Sequence, residues 1–246
     1  MNHQRFSCTF VYATAIAFLT ACGTGGGEKT TSDTAVTGTD TAAVTTAPVT
    51  NTIITTPQDM MIATHKVANF TKWNASYDEH DSMRLASQIH SYVIGRGVKD
   101  SNMVLVAVKV DDVTKAKAFA KSTDLKKAMQ KGGVTGAPTI KFITMTFQDT
   151  VHLETDLRVS STFTVKDWDT WQKVFEGHRQ EGLDNGLKVR AYGHDVDDNH
   201  KVMIVSAIID TAKANAFWKS DLLKQRRAES GASEPERFIF RIARRY

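Results

Sequence analysis

The chain has 246 residues, of which 41% are hydrophobic and 24% charged, and its formal net charge is +4. This length fits one large domain or two small ones, each able to bury a modest core. Acidic and basic residues are interspersed, and the basic residues of segment 241–245 are typical of a solvated strand end. The charge pattern therefore gives no reason to expect a nucleic-acid partner.

Residues 1–21 predict an export signal. Arg5 stands before an apolar run from Phe6 to Thr20, which is too short to cross a bilayer comfortably. The run ends in Leu19-Thr20-Ala21-Cys22, which resembles the lipobox of bacterial lipoproteins. The resemblance implies an exported protein that is anchored in the bacterial cell envelope, and thus at a membrane, through lipid on Cys22. The alternative is an ordinary signal peptide that contains a cysteine.

The cysteine count limits the chemistry of the mature chain. Cys8 lies inside the predicted signal and Cys22 would carry the lipid, and the sequence has no other cysteine. The mature chain would then contain no free thiol and no disulfide. This excludes cysteine nucleophiles, cysteine-based zinc sites and iron–sulfur clusters.

Residues 22–57 predict a disordered linker that begins at the lipidated cysteine. The segment is rich in threonine, lacks aromatic residues and shows no sustained helical or strand period. We expect it to hold the folded part of the protein away from the lipid.

The remainder of the chain contains an internal repeat. Residues 61–147 recur at 159–245 with a constant offset of 98 positions and no gap, so that Trp73 aligns with Trp171 and His80 with His178. Self-similarity at a fixed offset indicates a repeated structural unit. We therefore predict two repeats of similar size, residues 58–150 and residues 154–246.

Both repeats predict the same order of elements. The predicted strands are 60–67, 89–95, 103–110 and 139–147 in the first repeat, and 157–165, 187–193, 201–209 and 237–245 in the second. One helix follows the first strand, with Asn69 or Asp167 as its N-cap, and it is expected to continue through Arg84 in the first repeat. A second helix follows the central hairpin, with Asp112 or Asp210 as its N-cap.

The order strand, helix, strand, strand, helix, strand is the ferredoxin-like arrangement. Both helices then cover one face of the sheet and leave the other face bare. An apolar sheet face is not stable in water, so we expect the two sheets to cover each other within one chain.

These segments resemble a known superfamily. The resemblance is carried by the run from Val67 to Trp73 with Tyr77 and His80, and by segments 115–119, 122–126 and 133–138. They are similar to the dimeric α/β-barrel superfamily, and within it to the group of antibiotic-biosynthesis-monooxygenase-like proteins. The resemblance implies an α+β fold in which two tandem ferredoxin-like βαββαβ repeats form one intramolecular dimeric α/β-barrel. It leaves the activity open, because similar barrels serve as oxygenases, haem enzymes, isomerases and binding proteins.

His80 and His178 are the candidate catalytic residues. Each shares a helical stripe with inward-facing aromatic residues, where a histidine could act as a base toward a bound phenol or quinol, or bind haem iron. The alternative is a histidine that satisfies a backbone carbonyl and packs beside the tryptophan of its own repeat.

The acidic residues beside His80 do not predict a metal site. Glu79 and Asp81 correspond to Gly177 and Arg179 in the second repeat, so the carboxylates are not part of the repeated pattern. We expect no metal.

The candidate ligand-binding residues lie on the same helical stripes and on the strands of the first repeat. They are Trp73, Tyr77, Trp171, Phe175, His65, His90 and Tyr92. The last three correspond to Phe163, Lys188 and Arg190 in the second repeat, so the two halves differ inside. The alternative is that these three are polar residues at strand ends and barrel rims.

The sequence leaves three functions open. The first is a lipid-anchored envelope protein whose barrel binds a small apolar or aromatic molecule without a cofactor. The second is a monooxygenase-type oxidoreductase, cofactor-independent or haem-dependent, that uses His80 or His178. The third is a non-catalytic structural or interaction module. The sequence predicts an intramolecular pseudo-dimer and leaves open whether chains pair further.

Overall fold

The computed structural model describes residues 51–246. The predicted export signal, Cys22 and most of the predicted linker lie outside the described residues. Strand β1 (Ile53–Ile54) falls inside the range predicted as linker, and it pairs with Asp149 and Gln148. The ordered part of the chain therefore begins before residue 58, which corrects the predicted boundary. No helix within residues 51–246 has the length and apolar character needed to cross a membrane.

The first repeat contains four strands and four helices in the predicted order. They are β2 (Gln58–Val67), α1 (Phe70–Glu79), α2 (Asp81–Ala86), β3 (Ile89–Gly97), β4 (Met103–Val110), α3 (Val113–Ala120), α4 (Thr123–Lys131) and β5 (Val134–Asp149). Strand β5 begins five residues before its predicted start at residue 139, and it is long enough to pair with both repeats.

The second repeat has the same elements at the same offset. They are β6 (Leu157–Thr164), α5 (Trp168–Gly177), α6 (Arg179–Asp184), β7 (Leu187–Asp195), β8 (Lys201–Ile208), α7 (Thr211–Lys219), α8 (Asp221–Ser230) and β9 (Glu236–Arg245). Helix α5 begins 98 residues after α1, and β7 begins 98 residues after β3. The predicted arrangement of two ferredoxin-like repeats is confirmed.

The first helix of each repeat begins where the sequence predicts. The side chains of Asn69 and Asp167 accept hydrogen bonds from the backbone N–H groups of Lys72 and Thr170, at 2.9 and 2.8 Å. These bonds satisfy donors that a helix start leaves without a partner. The helix start is therefore encoded locally in both copies.

The predicted continuous helix through Arg84 is wrong, because the helix breaks at His80. The backbone there has φ −101° and ψ 20°, and the N–H of His80 bonds to the carbonyl of Tyr77. The imidazole takes the carbonyl of Ser76, which a continuing helix would bond to that N–H. His178 interrupts the second repeat in the same way, with φ −113° and ψ 11°.

The strands of the two repeats close into one antiparallel barrel. Its order is β5-β2-β4-β3-β9-β6-β8-β7, and β7 pairs again with β5. The pairs β3–β9 and β5–β7 join the repeats, while β1 continues beside β5 on the edge that β2 occupies. The predicted intramolecular α/β-barrel is confirmed.

The barrel has an apolar interior, and further apolar cores lie between its helices and its strands. The buried interior residues come from both repeats: Met60, Ile62, Leu105, Ala107, Ile143, Met145, Met203 and Phe240. The bare sheet faces predicted from the sequence thus cover each other as the inner wall of a single barrel.

A glycine marks each of the two joints between repeats. Gly95 in β3 pairs with Ile242 in β9, and Gly193 in β7 pairs with Met145 in β5. A Cβ at Gly193 would overlap the backbone carbonyl of Thr144, whereas the atoms nearest to a Cβ at Gly95 belong to the ring of Phe240. The β5–β7 joint therefore requires glycine more strictly than the β3–β9 joint.

We expect Gly193→Ala to lower the free energy of unfolding by about 1–3 kcal/mol, the usual cost of overpacking a site that cannot relax. Gly95→Ala should cost less, since a side chain can move where a backbone carbonyl cannot. Gly177→Ala, where no atom lies within 4 Å of the added methyl group, is the control and should not destabilise. Urea unfolding followed by circular dichroism measures all three, and equal stability of Gly193→Ala and the parent would contradict the tight joint.

Candidate functional site

Each repeat contains a cavity between its helices and the outer face of its strands. The first cavity, in the first repeat, has a volume of about 90 Å³. The second cavity, in the second repeat, has a volume of about 160 Å³. An apolar cavity of about 150 Å³ in an unrelated protein holds benzene. The second cavity is therefore large enough for a ligand with one aromatic ring.

Both cavities have largely apolar walls. The aromatic residues are Trp73, Tyr77 and Phe119 in the first cavity, and Phe163, Trp171, Phe175, Phe217 and Trp218 in the second. The candidate residues Trp73 and Tyr77, and likewise Trp171 and Phe175, are thus brought together around equivalent cavities. The rings of Trp171 and Phe175 are stacked, with centroids 4.9 Å apart.

His80 lines the first cavity from the junction between α1 and α2. Its Nδ1 lies 2.6 Å from the carbonyl oxygen of Ser76, so Nδ1 carries the proton and donates it. The imidazole is therefore oriented by a backbone carbonyl through Nδ1, which leaves Nε2 without a partner in this contact. This is the arrangement that the alternative interpretation of the sequence described.

His178 lines the second cavity and has a different partner. Its Nδ1 lies 3.1 Å from Oε1 of Glu181. Arg226 donates to both oxygens of the same carboxylate, from Nη2 at 2.7 Å and from Nε at 3.0 Å. Hydrogen bonding to Arg226 holds the pKa of Glu181 below its usual range, so the carboxylate is charged and orients the imidazole. A histidine oriented by a carboxylate is a common arrangement for a general base.

The sequence did not single out Glu181 or Arg226 as site residues. Glu181 occupies the position of Met83 in the first repeat, and Arg226 occupies that of Ala128. Charged residues that replace apolar ones at equivalent positions are a signal that comparison of the two repeats could have revealed.

His65 is the most unusual polar residue in the first cavity. It lies in β2, is only 7% exposed, and neither ring nitrogen has a hydrogen-bond partner among the described residues. Its ring packs 5.4 Å from that of Trp73, as Phe163 packs 5.7 Å from Trp171 in the second repeat. The first cavity thus contains an unsatisfied imidazole where the second contains a phenyl ring.

Tyr77 and Arg84 form the remaining polar wall of the first cavity. The hydroxyl group of Tyr77 lies 2.8 Å from that of Ser91, and the guanidinium group of Arg84 lies 3.6 Å from the centre of the Tyr77 ring. Burial is the largest influence on the pKa of Tyr77 and raises it. Tyr77 therefore stays protonated and can offer its hydroxyl group to a ligand as a hydrogen-bond donor.

Two of the predicted ligand-binding residues lie elsewhere. His90 is exposed on β3, where its Nε2 lies 2.7 Å from Oδ2 of Asp111, and it lines neither cavity. Tyr92 lies at a bulge of β3 and lines a third cavity inside the barrel. The structure thus separates His90 and Tyr92 from the two cavities that the helical stripes line, and ligand binding by either residue stays a prediction.

Metal ligands are not clustered in the described part of the chain. Within residues 51–246, no three His, Cys, Asp or Glu side chains are close enough together to share a metal ion. Glu79 bonds instead to Lys131, and Asp78 bonds to Arg244 and Tyr246 from the end of the second repeat.

The fold is similar to those of several solved structures. An anthrone oxidase-like protein has 13% sequence identity and a TM-score of 0.53, with 78% of this chain and 94% of that chain covered. A chlorite dismutase candidate has 10% identity and a TM-score of 0.53, with 76% and 96% covered. A monooxygenase candidate from Lactobacillus acidophilus has 9% identity and a TM-score of 0.51, with 76% and 94% covered.

These likenesses confirm the predicted resemblance to monooxygenase-like α/β-barrels at the level of the fold. Sequence identities near 10% do not carry over an activity, because one fold hosts many functions. No model of a known family matches the chain, and no curated protein matches it.

His65 predicts a pH dependence of stability. Burial lowers its pKa from 6.5 to about 4. Between these values the unfolded chain binds a proton that the folded protein excludes, so this contribution to stability is complete above pH 6.5 and is lost as the pH falls toward 4. We expect it to cost about 2 kcal/mol between pH 7 and pH 5.

His65→Phe, which installs the residue found at 163 in the second repeat, should remove this part of the pH dependence. The measurement is the free energy of unfolding in urea at pH 7 and at pH 5 for the parent and the variant. His90→Gln is the control, because His90 is exposed. An equal loss of stability in the parent and in His65→Phe would show that the imidazole is not the cause.

Proposed function

We propose that this chain is a binding protein for a small aromatic molecule, which it takes up in the second cavity. The observation that carries the proposal is a cavity of about 160 Å³ whose walls are mainly aromatic and aliphatic and whose polar groups converge on His178. An apolar pocket with a few oriented polar groups is the usual form of a small-molecule site.

The polar groups of the second cavity indicate the class of ligand. Glu181 and Arg226 pair with each other, and Arg227 and Arg237 pair with Glu234, so these charges are largely neutralised. With Nδ1 directed at Glu181, the Nε2 atom of the neutral imidazole of His178 can accept a hydrogen bond, and it lies 3.8 Å from Oε2 of Glu229. A neutral ring with one hydroxyl group, such as a phenol, matches the apolar walls together with this acceptor and the serine hydroxyl groups of the lining.

Haem does not fit either cavity. A porphyrin has four linked five-membered rings, whereas the second cavity has room for about one ring and the first for less. We therefore propose a function in which haem takes no part.

The proposed function includes the membrane attachment that the sequence predicts. An export signal with lipid on Cys22 would place the barrel in the cell envelope, where sparingly soluble aromatic molecules concentrate. A threonine-rich linker would let the barrel move relative to the membrane.

The test uses p-cresol as the probe and two variants that fill one cavity each. Val174→Trp fills the second cavity, and Ala128→Trp fills the first. We expect p-cresol to bind the parent and Ala128→Trp with similar affinity and to bind Val174→Trp at least tenfold more weakly, because only the second cavity accommodates the ring. Isothermal titration calorimetry measures the affinities. Absence of binding to the parent, or equal binding by both variants, would contradict the proposal.

A second candidate function is suggested by the His178–Glu181 pair. In a monooxygenase-type reaction without a cofactor, His178 would accept a proton from a methylene carbon beside a phenol ring, and the resulting carbanion would be oxidised by O₂. The methylene group becomes a carbonyl group that contains one oxygen atom of O₂. The other oxygen atom leaves as water with the two hydrogen atoms of the methylene group. The geometry favours His178 over His80, because only His178 has a carboxylate partner.

The enzymatic alternative predicts unequal effects of the two histidines. If the parent consumes O₂ with a single-ring phenol or quinol, His178→Ala should lower kcat by about 10²-fold or more, the usual contribution of a general base. His80→Ala should leave kcat within about twofold, since its imidazole is bonded to a backbone carbonyl. Oxygen uptake measures both rates. Equal losses in the two variants would exclude a special role for His178, and no uptake by the parent leaves binding alone.

A further inference from the structure

The third cavity lies inside the barrel and has a volume of about 90 Å³. We call it the barrel cavity. It differs from the first and second cavities in that equivalent residues of both repeats line it together. These pairs are Met60 and Arg158, Ile62 and Ser160, Tyr92 and Arg190, Val93 and Ala191, Leu105 and Met203, and Ala107 and Val205. The two repeats therefore contribute equivalent positions to one shared cavity.

The two repeats contribute unequal chemistry to the barrel cavity. The first repeat supplies Met60 and Tyr92, where the second supplies Arg158 and Arg190. A third guanidinium group, that of Arg245, comes from the end of β9. Arg245 is exposed at the strand end, whereas Arg158 is buried and the Arg190 side chain is nearly so. An arginine inside a barrel is costly without a partner, so Arg158 and Arg190 require an explanation.

The described residues supply little negative charge beside these arginines. Among them, Asp149 is the one carboxylate that lines the barrel cavity. Its Oδ1 accepts hydrogen bonds from the N–H of Val151 and from the hydroxyl group of Thr52, and its Oδ2 lies 3.2 Å from Nζ of Lys188. This carboxylate is therefore already shared with a lysine before the arginines are counted.

The guanidinium group of Arg190 is only partly satisfied. Nη2 donates to the carbonyl of Val151 at 2.7 Å, but Nη1 is buried, has no hydrogen-bond partner among the described residues, and lies 3.8 Å from Oδ2 of Asp149. An unsatisfied buried donor costs about 1–3 kcal/mol, and more when it is charged. Arg190 thus presents a charged donor that a bound acceptor would satisfy.

Arg158 shows the same lack of compensation. Its Nη1 donates to the carbonyls of Thr155 and Leu157, at 2.8 and 2.9 Å, and it has no carboxylate within ion-pair distance among the described residues. Burial, and after it the nearby charges of Arg190 and Arg245, lower the pKa of Arg158 to about 10. The wall therefore carries an excess of positive charge that favours an anion.

We propose that the barrel cavity binds a small amphipathic organic anion, a carboxylate attached to a short apolar chain. The carboxylate would lie against Arg190 and Arg158, where it can accept paired hydrogen bonds from a guanidinium group. The chain would extend between the apolar residues of the remaining wall, which are Met60, Ile62, Leu105, Met145, Met203 and Phe240. An inorganic anion would leave that wall without a partner, which is why the chain belongs to the proposal.

Propanoate is the probe, because its short chain is smaller than an aromatic ring, and propan-1-ol is the matched neutral compound. We expect propanoate to bind the purified protein and to raise its Tm, and propan-1-ol to bind at least tenfold more weakly. Arg190→Gln should weaken propanoate binding at least tenfold. Arg96→Gln, at an arginine that contacts Phe70 and lines none of the three cavities, should leave the affinity within about twofold. Calorimetry and thermal unfolding measure these effects.

A second variant keeps the test sharp should Arg190→Gln fail to fold. Ala191→Phe fills the barrel cavity without removing a charge, and it should also abolish propanoate binding. No binding of propanoate to the parent, equal binding of propan-1-ol, or propanoate binding that survives in both variants would each overturn the proposal. Phosphate that binds as tightly as propanoate would overturn the role of the apolar chain.

The barrel cavity and the second cavity can fail independently. Val174→Trp should weaken p-cresol binding at least tenfold and retain propanoate binding, because Val174 lines only the second of the three cavities. Loss of propanoate binding in Val174→Trp would place the anion in the second cavity and overturn the barrel site.

Discussion

The burial of two bare sheet faces is the constraint on which the rest of this structure depends. Each ferredoxin-like repeat covers one face of its strands with helices and leaves the other apolar. Closing β3 on β9 and β5 on β7 removes both faces from water at once and also removes the free sheet edges that invite aggregation. Neither repeat can bury its apolar face alone, so the barrel interior couples the folding of the two repeats. Gly193 lies at the β5–β7 joint, where the backbone of Thr144 leaves no room for a side chain.

Covalent linkage of the repeats frees them to diverge. In a barrel made from two identical chains, any change in the lining would appear twice across the axis. Here His65 faces Trp73 in one half while Phe163 faces Trp171 in the other, and Arg158 and Arg190 stand where the first repeat has Met60 and Tyr92. One chain can thus keep a neutral imidazole, an oriented His178–Glu181 pair and an arginine wall in three separate places, a combination that strict symmetry would forbid.

Much of the fold could be predicted because its signals are local and occur twice. The caps Asn69 and Asp167, the alternation in the strands and the constant offset each depend on neighbours in sequence, and the structure has them where expected. The helix break at His80 could not be predicted from spacing, since it depends on which donor takes the carbonyl of Ser76. The extra length of β5 likewise depends on a partner strand about fifty residues away along the chain, which no local pattern encodes.

The candidate site was harder to predict, because several of its contacts join residues that are far apart in the sequence. Trp73, Tyr77, Trp171 and Phe175 reach their cavities because helical spacing brings them to one face, which the sequence shows directly. Glu181 and Arg226 lie 45 positions apart and meet only after α8 packs beside α5 and α6, so their pairing is a tertiary event. Tyr92 lies inside the barrel at the bulge of β3, away from the cavities beneath the helices, and this position depends on strand pairing that the sequence pattern does not encode. Comparison of equivalent positions recovers part of this loss: where an internal repeat exchanges an apolar residue for a charged one, the local fold is unchanged and the substitution has to be explained by what the side chain contacts.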